Sequence, residues 1–250
     1  ARHEAPVDTT GRLAAIVRPR YSGERAKETV AFLDQFARWP GNRGFDASID
    51  HIAQRLERAG YVLQDKAKSG DRLTYRIERY PMSAPAWEAV DAEVRVAGAG
   101  APALQWKTNR NMLATNSFAT PALGVDAELV DVGTFTAAAL DKIDVRGKIV
   151  MADGRVGQLF TEAVVKRGAV GVLAYAMPAY TQPEKHRTSI VFQGIPLDTV
   201  RKSWGIALSF DARAQLRAAL AAGPTRLRVS TRVTWTPNAV ERTVVADVRG

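Results

Sequence analysis

"GKIVMADGRVGQLFTEAVVKRGAVGVLAYA" (Gly147–Ala176) decides the fold class of this chain. Its opening, Gly147–Gly154, is a short apolar run bounded by glycines, and its close, Ala169–Ala176, is another. Runs this short, apolar without alternation, are the text of strands buried on both faces. Between them, Val156–Gly168 sets Leu159, Phe160, Ala163 and Val164 on one side of a helix, and Gly168 supplies the stop. Strand, helix and strand at this length predict a right-handed parallel βαβ unit, and with it an α/β fold.

Such a unit invites a nucleotide, whose phosphates would sit in the loop after the first strand. That loop reads Ala152, Asp153, Gly154, Arg155, Val156, Gly157. It has neither G-x-G-x-x-G spacing nor Gly-Lys-Ser/Thr, so a plain turn is expected there and no cofactor fingerprint is present.

Downstream, "GIALSF" reads as the next strand, Asp211–Ala222 as a helix with Leu216 and Leu220 inward, and Leu227–Trp235 as an alternating strand. Upstream, Ala- and Val-rich text broken by Gly98, Gly100, Pro102, Pro121 and Gly124 gives short strands at Ala92–Ala97, Leu104–Lys107 and Ala127–Val132. Earlier still, Ala26, Val30, Leu33 and Ala37 predict an amphipathic helix over Glu24–Arg38. Ile49, Ile52, Ala53 and Leu56 predict a second, capped at Asp46 or Ser48 and stopped at Gly60. Arg72–Tyr80 alternates Leu73, Tyr75 and Ile77 with Thr74, Arg76 and Glu78, a strand with one polar face. Residues 1–22 carry no clear period and are expected to form an extended arm. The chain closes on "NAVERTVVADVRG" (Asn238–Gly250), where a Pro237-Asn238 turn leads into an apolar strand expected to enter a buried sheet.

The 250 residues are 46% hydrophobic, which excludes wholesale disorder, and no apolar run is long enough to span a bilayer as a helix. The net charge of +9 is evenly spread: fifteen Lys/Arg against eleven Asp/Glu in residues 1–80, twenty against fifteen in the rest. Without a basic run or an aromatic-basic alternation, this is a solvated, mildly basic surface rather than a nucleic-acid site. The absence of cysteine removes disulfides and thiolate chemistry.

Histidine occurs at positions 3, 51 and 186, in three unrelated segments, and no His-x-Asp or His-Glu-x-x-His pair exists. No Gly-x-Ser-x-Gly elbow is present. Asp198 near Arg201 and Lys202 reads as a loop cluster, and Asp141 and Asp144 as turn residues before a strand. The residues alone therefore nominate no catalytic, cofactor-binding or metal-binding residue. The polar segment Tyr180–Trp204, with Gly194 and Pro196, is expected to be a surface loop between the βαβ unit and the next strand, with a substrate-facing rim as the second reading.

Three stretches together carry a resemblance. "GERAKETVAFLDQFARWPGNRGFDASIDHIAQRLERAGYVL" (Gly23–Leu63) resembles the N-terminal helices of the two-zinc aminopeptidases, the superfamily that also contains the transferrin receptor. "DVRGKIVMADG" with "EAVVKRGAVGVLAYA" (within Asp144–Ala176) resembles the protease-associated domain inserted in many of them. "NAVERTVVADVRG" is similar to the strand by which such a chain returns to the peptidase domain. The order of the three implies an arm at 1–22, the N-terminal part of a peptidase domain at 23–80, an inserted protease-associated α/β domain at 81–236, and a return strand at 237–250. It also implies that Arg72–Tyr80 and Arg242–Val248 are neighbouring strands.

In that family the zinc ligands and the general-base glutamate follow the return strand, beginning with a His-x-Asp. The resemblance therefore implies an exported zinc metallopeptidase acting on peptides, secreted or periplasmic, of which this chain is the part before the zinc site. Two metal ions would polarise the scissile carbonyl and generate hydroxide. No catalytic or metal residue carries over to positions 1–250. The alternative is a non-catalytic binding or interaction module on the same scaffold, as in the transferrin receptor.

Overall fold

A computed structural model describes residues 9–250. The chain divides into two units, Ala1–Phe36 and Ala37–Gly250. In the first, the expected extended arm is helical over its described part. Helix α1 (Thr9–Val17) runs into a 3-10 turn at Arg18–Arg20, with Pro19 in the first turn where its missing N–H is harmless. Leu13, Ile16 and Val17 supply three- and four-residue spacing for it. Helix α2 (Gly23–Leu33) is capped by Ser22, whose Oγ accepts the Arg25 N–H. It ends before the expected Arg38, because Gln35 and Phe36 bond three residues back, to Phe32 and Leu33, and tighten out of the α-helix.

The second unit holds two sheets. Helix α3 (Arg43–Arg58) is capped by Asn42, which accepts the Phe45 N–H at 2.8 Å, one turn before the expected Asp46 or Ser48. Strands β1 (Val62–Leu63), β2 (Leu73–Pro81) and β10 (Val240–Val248) form a three-stranded sheet in the order β1-β2-β10. Strand β10 runs antiparallel to β2, from Val240 opposite Pro81 to Val248 opposite Leu73, so the two predicted neighbours are neighbours. The polar face expected of β2 is present: Arg76 pairs with Glu78 at 2.7 Å and with Asp247 of β10 at 2.8 Å. On the opposite face, Tyr75 donates to Glu57 of α3. Strand β10 is not buried as its apolar text suggests. It is half-buried through Val245 and exposed from Ala246 onward.

Everything between β2 and β10 builds a seven-stranded sheet in the order β4-β3-β9-β5-β6-β7-β8. These are β3 (Ala86–Val96), β4 (Leu104–Gln105), β5 (Val125–Thr134), β6 (Ile149–Asp153), β7 (Gly171–Tyr175), β8 (Trp204–Ala207) and β9 (Arg226–Thr236). Strands β5 to β8 are mutually parallel, and β9 runs antiparallel to both β3 and β5. The pattern of Gly147–Ala176 is thus realised as a parallel β6-helix-β7 unit.

Successive residues of β6 and β7 feed two cores. Ile149, Met151 and Leu173 face one, with Leu216 of helix α6 (Phe210–Ala222), while Val150, Ala152, Val172 and Ala174 face the other. Period-two placement with both faces covered explains the unbroken apolar text. The short helix α4 (Ala137–Leu140) lies between β5 and β6 in the chain. Helix α5 starts as α at Val156–Leu159 and widens into a π-helix at Phe160–Val165, where the Lys166 N–H reaches the Thr161 carbonyl five residues back at 3.2 Å. Leu159, Phe160, Ala163 and Val164 are all buried along it, as their spacing predicted.

Candidate functional site

The C-terminal ends of β5, β6 and β7 open onto a cleft of about 1020 Å³. This is the edge at which ligands of parallel α/β sheets gather. Phe135 follows β5, Arg155 follows β6, and Ala176 and Pro178 follow β7. The first two turns of α5 contribute Gln158, Thr161 and Glu162, and the opposite wall is the run Val191–Gly194 with Pro196.

That wall belongs to the polar segment Tyr180–Trp204, and parallel pairing with an earlier segment fixes it. Thr115 N–H bonds to the Gln193 carbonyl and Ile195 N–H to the Thr115 carbonyl, each at 3.0 Å. Three asparagines tie the same two stretches together: Asn109 donates to Thr188, Asn111 to Ile190 and Asn116 to Ile195, each to a backbone carbonyl. Gln193 also turns its Oε1 onto the Val156 N–H at 2.9 Å, filling the cap position that Arg155 lacks an acceptor to fill. A Cβ on Gly157 would fall 2.8 Å from the Gly194 carbonyl oxygen, so only glycine lets helix and wall close to this distance. At the rim, Phe192 is 52% exposed and lies 6.2 Å from the Trp39 ring.

The charges of the cleft are unequal in their partners. Glu162 is paired with Lys166 at 2.6 Å and with Arg167 at 2.8 Å, and Arg167 also reaches Asp141. Lys166 first and Arg167 second hold the Glu162 carboxyl below its ordinary pKa. Arg155 is exposed and makes no salt bridge among the described residues.

A second polar cluster sits at the same sheet edge. Asp131 at the end of β5 and Asp153 at the end of β6 hold Arg217 and Arg213 of α6. Arg217 Nε is 2.7 Å from Asp131 and Arg213 Nε is 2.7 Å from Asp153, with the Arg213 guanidinium 4.7 Å over the Tyr175 ring. Both acids are matched by cations, which makes the cluster a clamp for α6. Asp153 was read as part of a plain turn. Arg213 and Arg217, at i and i+4 on the Asp211–Ala222 helix, are the one mark its partners leave in the sequence.

The other residues considered from sequence stay apart. His51 is half-buried on α3, His186 is exposed, and His3 lies outside the described residues. Asp198 closes its own loop by accepting the N–H groups of Val200 and Arg201 at 3.0 Å. Its burial raises the carboxyl pKa, but these amides and the Arg201 guanidinium together carry it below the usual value. Asp144 accepts the Arg146 N–H, the turn chemistry expected of it. Among the described residues no group of three or more His, Asp or Glu side chains is placed to hold a metal ion, so the residues present do not fit a zinc centre. No described helix is long and apolar enough to cross a membrane.

The architecture is that of an aminopeptidase-type α/β fold. In particular, the chain resembles a peptidase M28 precursor from Shewanella amazonensis SB2B, over 88% of this chain and 48% of that one, with a TM-score of 0.53 at 16% identity. It resembles BSAP, a zinc aminopeptidase from Bacillus subtilis, over 88% of this chain and 46% of that one, with a TM-score of 0.52 at 14% identity. At these identities the likeness is one of fold, and the chain spans about half the length of either structure. No protein-family model matches the sequence, and no curated protein matches it.

Proposed function

We propose that this chain is the N-terminal part of an exported zinc aminopeptidase, with a protease-associated domain at 81–236 set into a peptidase domain that begins at 23–80 and resumes at 237–250. The observation that carries the reading is the ladder between β2 and β10. These strands are hydrogen-bonded neighbours although a whole seven-stranded sheet separates them in sequence. An insertion that leaves and re-enters its host through adjacent strands has this form. The likeness to two peptidases about twice as long as the matched region supports the same reading.

In this reading zinc belongs to the intact protein and is held by residues outside positions 1–250, the substrate is a peptide, and the inserted domain caps the cleft of the parent enzyme and contributes to substrate selection. The reading is tested in the gene itself. The reading frame is expected to continue beyond Gly250 into a strand carrying His-x-Asp. A stop codon directly after Gly250, or a continuation without metal-ligand spacing, contradicts it.

A further inference from the structure

The cleft at the ends of β5 to β7 combines three features that select a ligand. Its lining carries five large apolar residues, Phe135 and Pro178 after β5 and β7 and Val191, Phe192 and Pro196 of the later loop. Val191 and Phe192 are 36% and 52% exposed, large apolar surface left in water at a concave site. Glu162, the acid among its described lining residues, is already neutralised by Lys166 and Arg167, whereas Arg155 makes no salt bridge among the described residues. The local field therefore favours an anion. Third, the walls are pre-positioned, by the three asparagines on the loop side and by the Gln193 cap on the helix side. Little ordering is left for a ligand to impose. The π-helical turn that carries Thr161 and Glu162 to the cleft is itself a departure from regular helix of the kind found at functional sites.

We infer that this cleft binds the C-terminal end of a peptide, with the α-carboxylate on the Arg155 guanidinium and an apolar terminal side chain between Phe135 and Phe192. A guanidinium takes a carboxylate through paired N–H donors. The Gln158 carboxamide and the Gln193 amide nitrogen remain as donors, and the Thr161 hydroxyl oxygen, whose proton goes to the Gly157 carbonyl, remains as an acceptor; these suit a peptide backbone, and a simple fatty acid would leave them unused. A volume of about 1020 Å³ holds several residues rather than one. The inference uses only residues of the cleft at the ends of β5 to β7 in the seven-stranded sheet and does not rest on the peptidase reading.

The test is calorimetric titration of the 250-residue chain, in zinc-free buffer, with the tetrapeptide Ala-Ala-Leu-Phe as free acid, with its C-terminal amide, and with octanoate. The free acid is expected to bind and the amide to bind about tenfold more weakly, the loss of one charge-assisted contact. Arg155→Gln is expected to bring the acid down to the affinity of the amide while leaving the amide unchanged. Arg228→Gln, at an exposed arginine outside the cleft, is expected to change neither. Thermal unfolding of each variant confirms that it folds. Absence of peptide binding, equal affinity for acid and amide, full binding by Arg155→Gln, or binding of octanoate in preference to the peptide overturns the inference.

Discussion

Arg242 of β10 reaches across 192 residues of sequence to Asp50 of α3, with a guanidinium nitrogen 2.5 Å from the carboxylate. A second nitrogen lies 3.6 Å from Asp46, one turn earlier on the same helix. The arginine side chain is only 12% exposed, whereas Asp46 and Asp50 face solvent more openly. One largely covered cation thus joins the last strand to the helix that packs beside it.

Removing that cation leaves two carboxylates at i and i+4 with nothing between them. Arg242→Ala is expected to cost about 1–3 kcal/mol of stability, read from urea unfolding. Asp50→Asn, at an exposed partner, is expected to cost less than 1 kcal/mol. Equal effects would show that Asp50, rather than the largely covered arginine, dominates the join.

Gly171 of β7 lies directly opposite Trp204 of β8, and any Cβ at that position would overlap the indole. Trp204 is buried, so the indole would have to shift within the packed sheet. Gly171→Ala is therefore expected to destabilise the parallel sheet by roughly 1–3 kcal/mol, as overpacking does. Thermal unfolding measures it, and an unchanged midpoint would mean that β7 and β8 are not in this register.

Gln193 supplies the acceptor for the first N–H of α5 from a separate loop. Gln193→Leu keeps the bulk and removes the acceptor, with an expected loss of about 0.5–2 kcal/mol. The same substitution is expected to speed tryptic cleavage at Lys185 and Arg187, because the loop loses one of its ties. Unaltered cleavage would assign the loop's order to the asparagine contacts alone.

Glu162 gives a pH signature. Its folded-state pKa lies below the unfolded one because of Lys166 and Arg167, so its stabilising contribution is present above the unfolded pKa and is lost as pH falls through the folded value. Glu162→Gln is expected to lower the unfolding temperature at pH 7 and to match the parent chain near pH 3. A difference that persists unchanged at the acid end would mean that the carboxylate charge is not what stabilises this turn of α5.

The fold is legible in the sequence wherever burial follows a period. The parallel β6-α5-β7 unit stands out because both strands are covered on both faces, and α3 because Ile49 and Ala53 recur on its buried stripe. The pairing of β2 with β10 comes from the resemblance, since nothing local in either strand names the other. Helix α1 is hard to read because it is only nine residues long and lies between breakers, with Gly11 inside it and Pro19 just beyond it. The cleft is only half legible. The segment Tyr180–Trp204 reads first as a surface loop and only second as a rim, and its contact with Asn109–Asn116 depends on pairings 79 residues apart that leave no mark on either segment. Arg155 looks like any other loop arginine until the partners of Glu162 are known.

The central claim, that these residues precede the metal site of a zinc aminopeptidase, is met most directly by zinc stoichiometry. The measurement is plasma mass spectrometry on protein purified from the complete reading frame and on the 250-residue chain alone. The complete protein is expected to carry about two zinc ions per chain and the 250-residue chain none. Zinc-free complete protein, or stoichiometric zinc held by residues 1–250, would contradict the account.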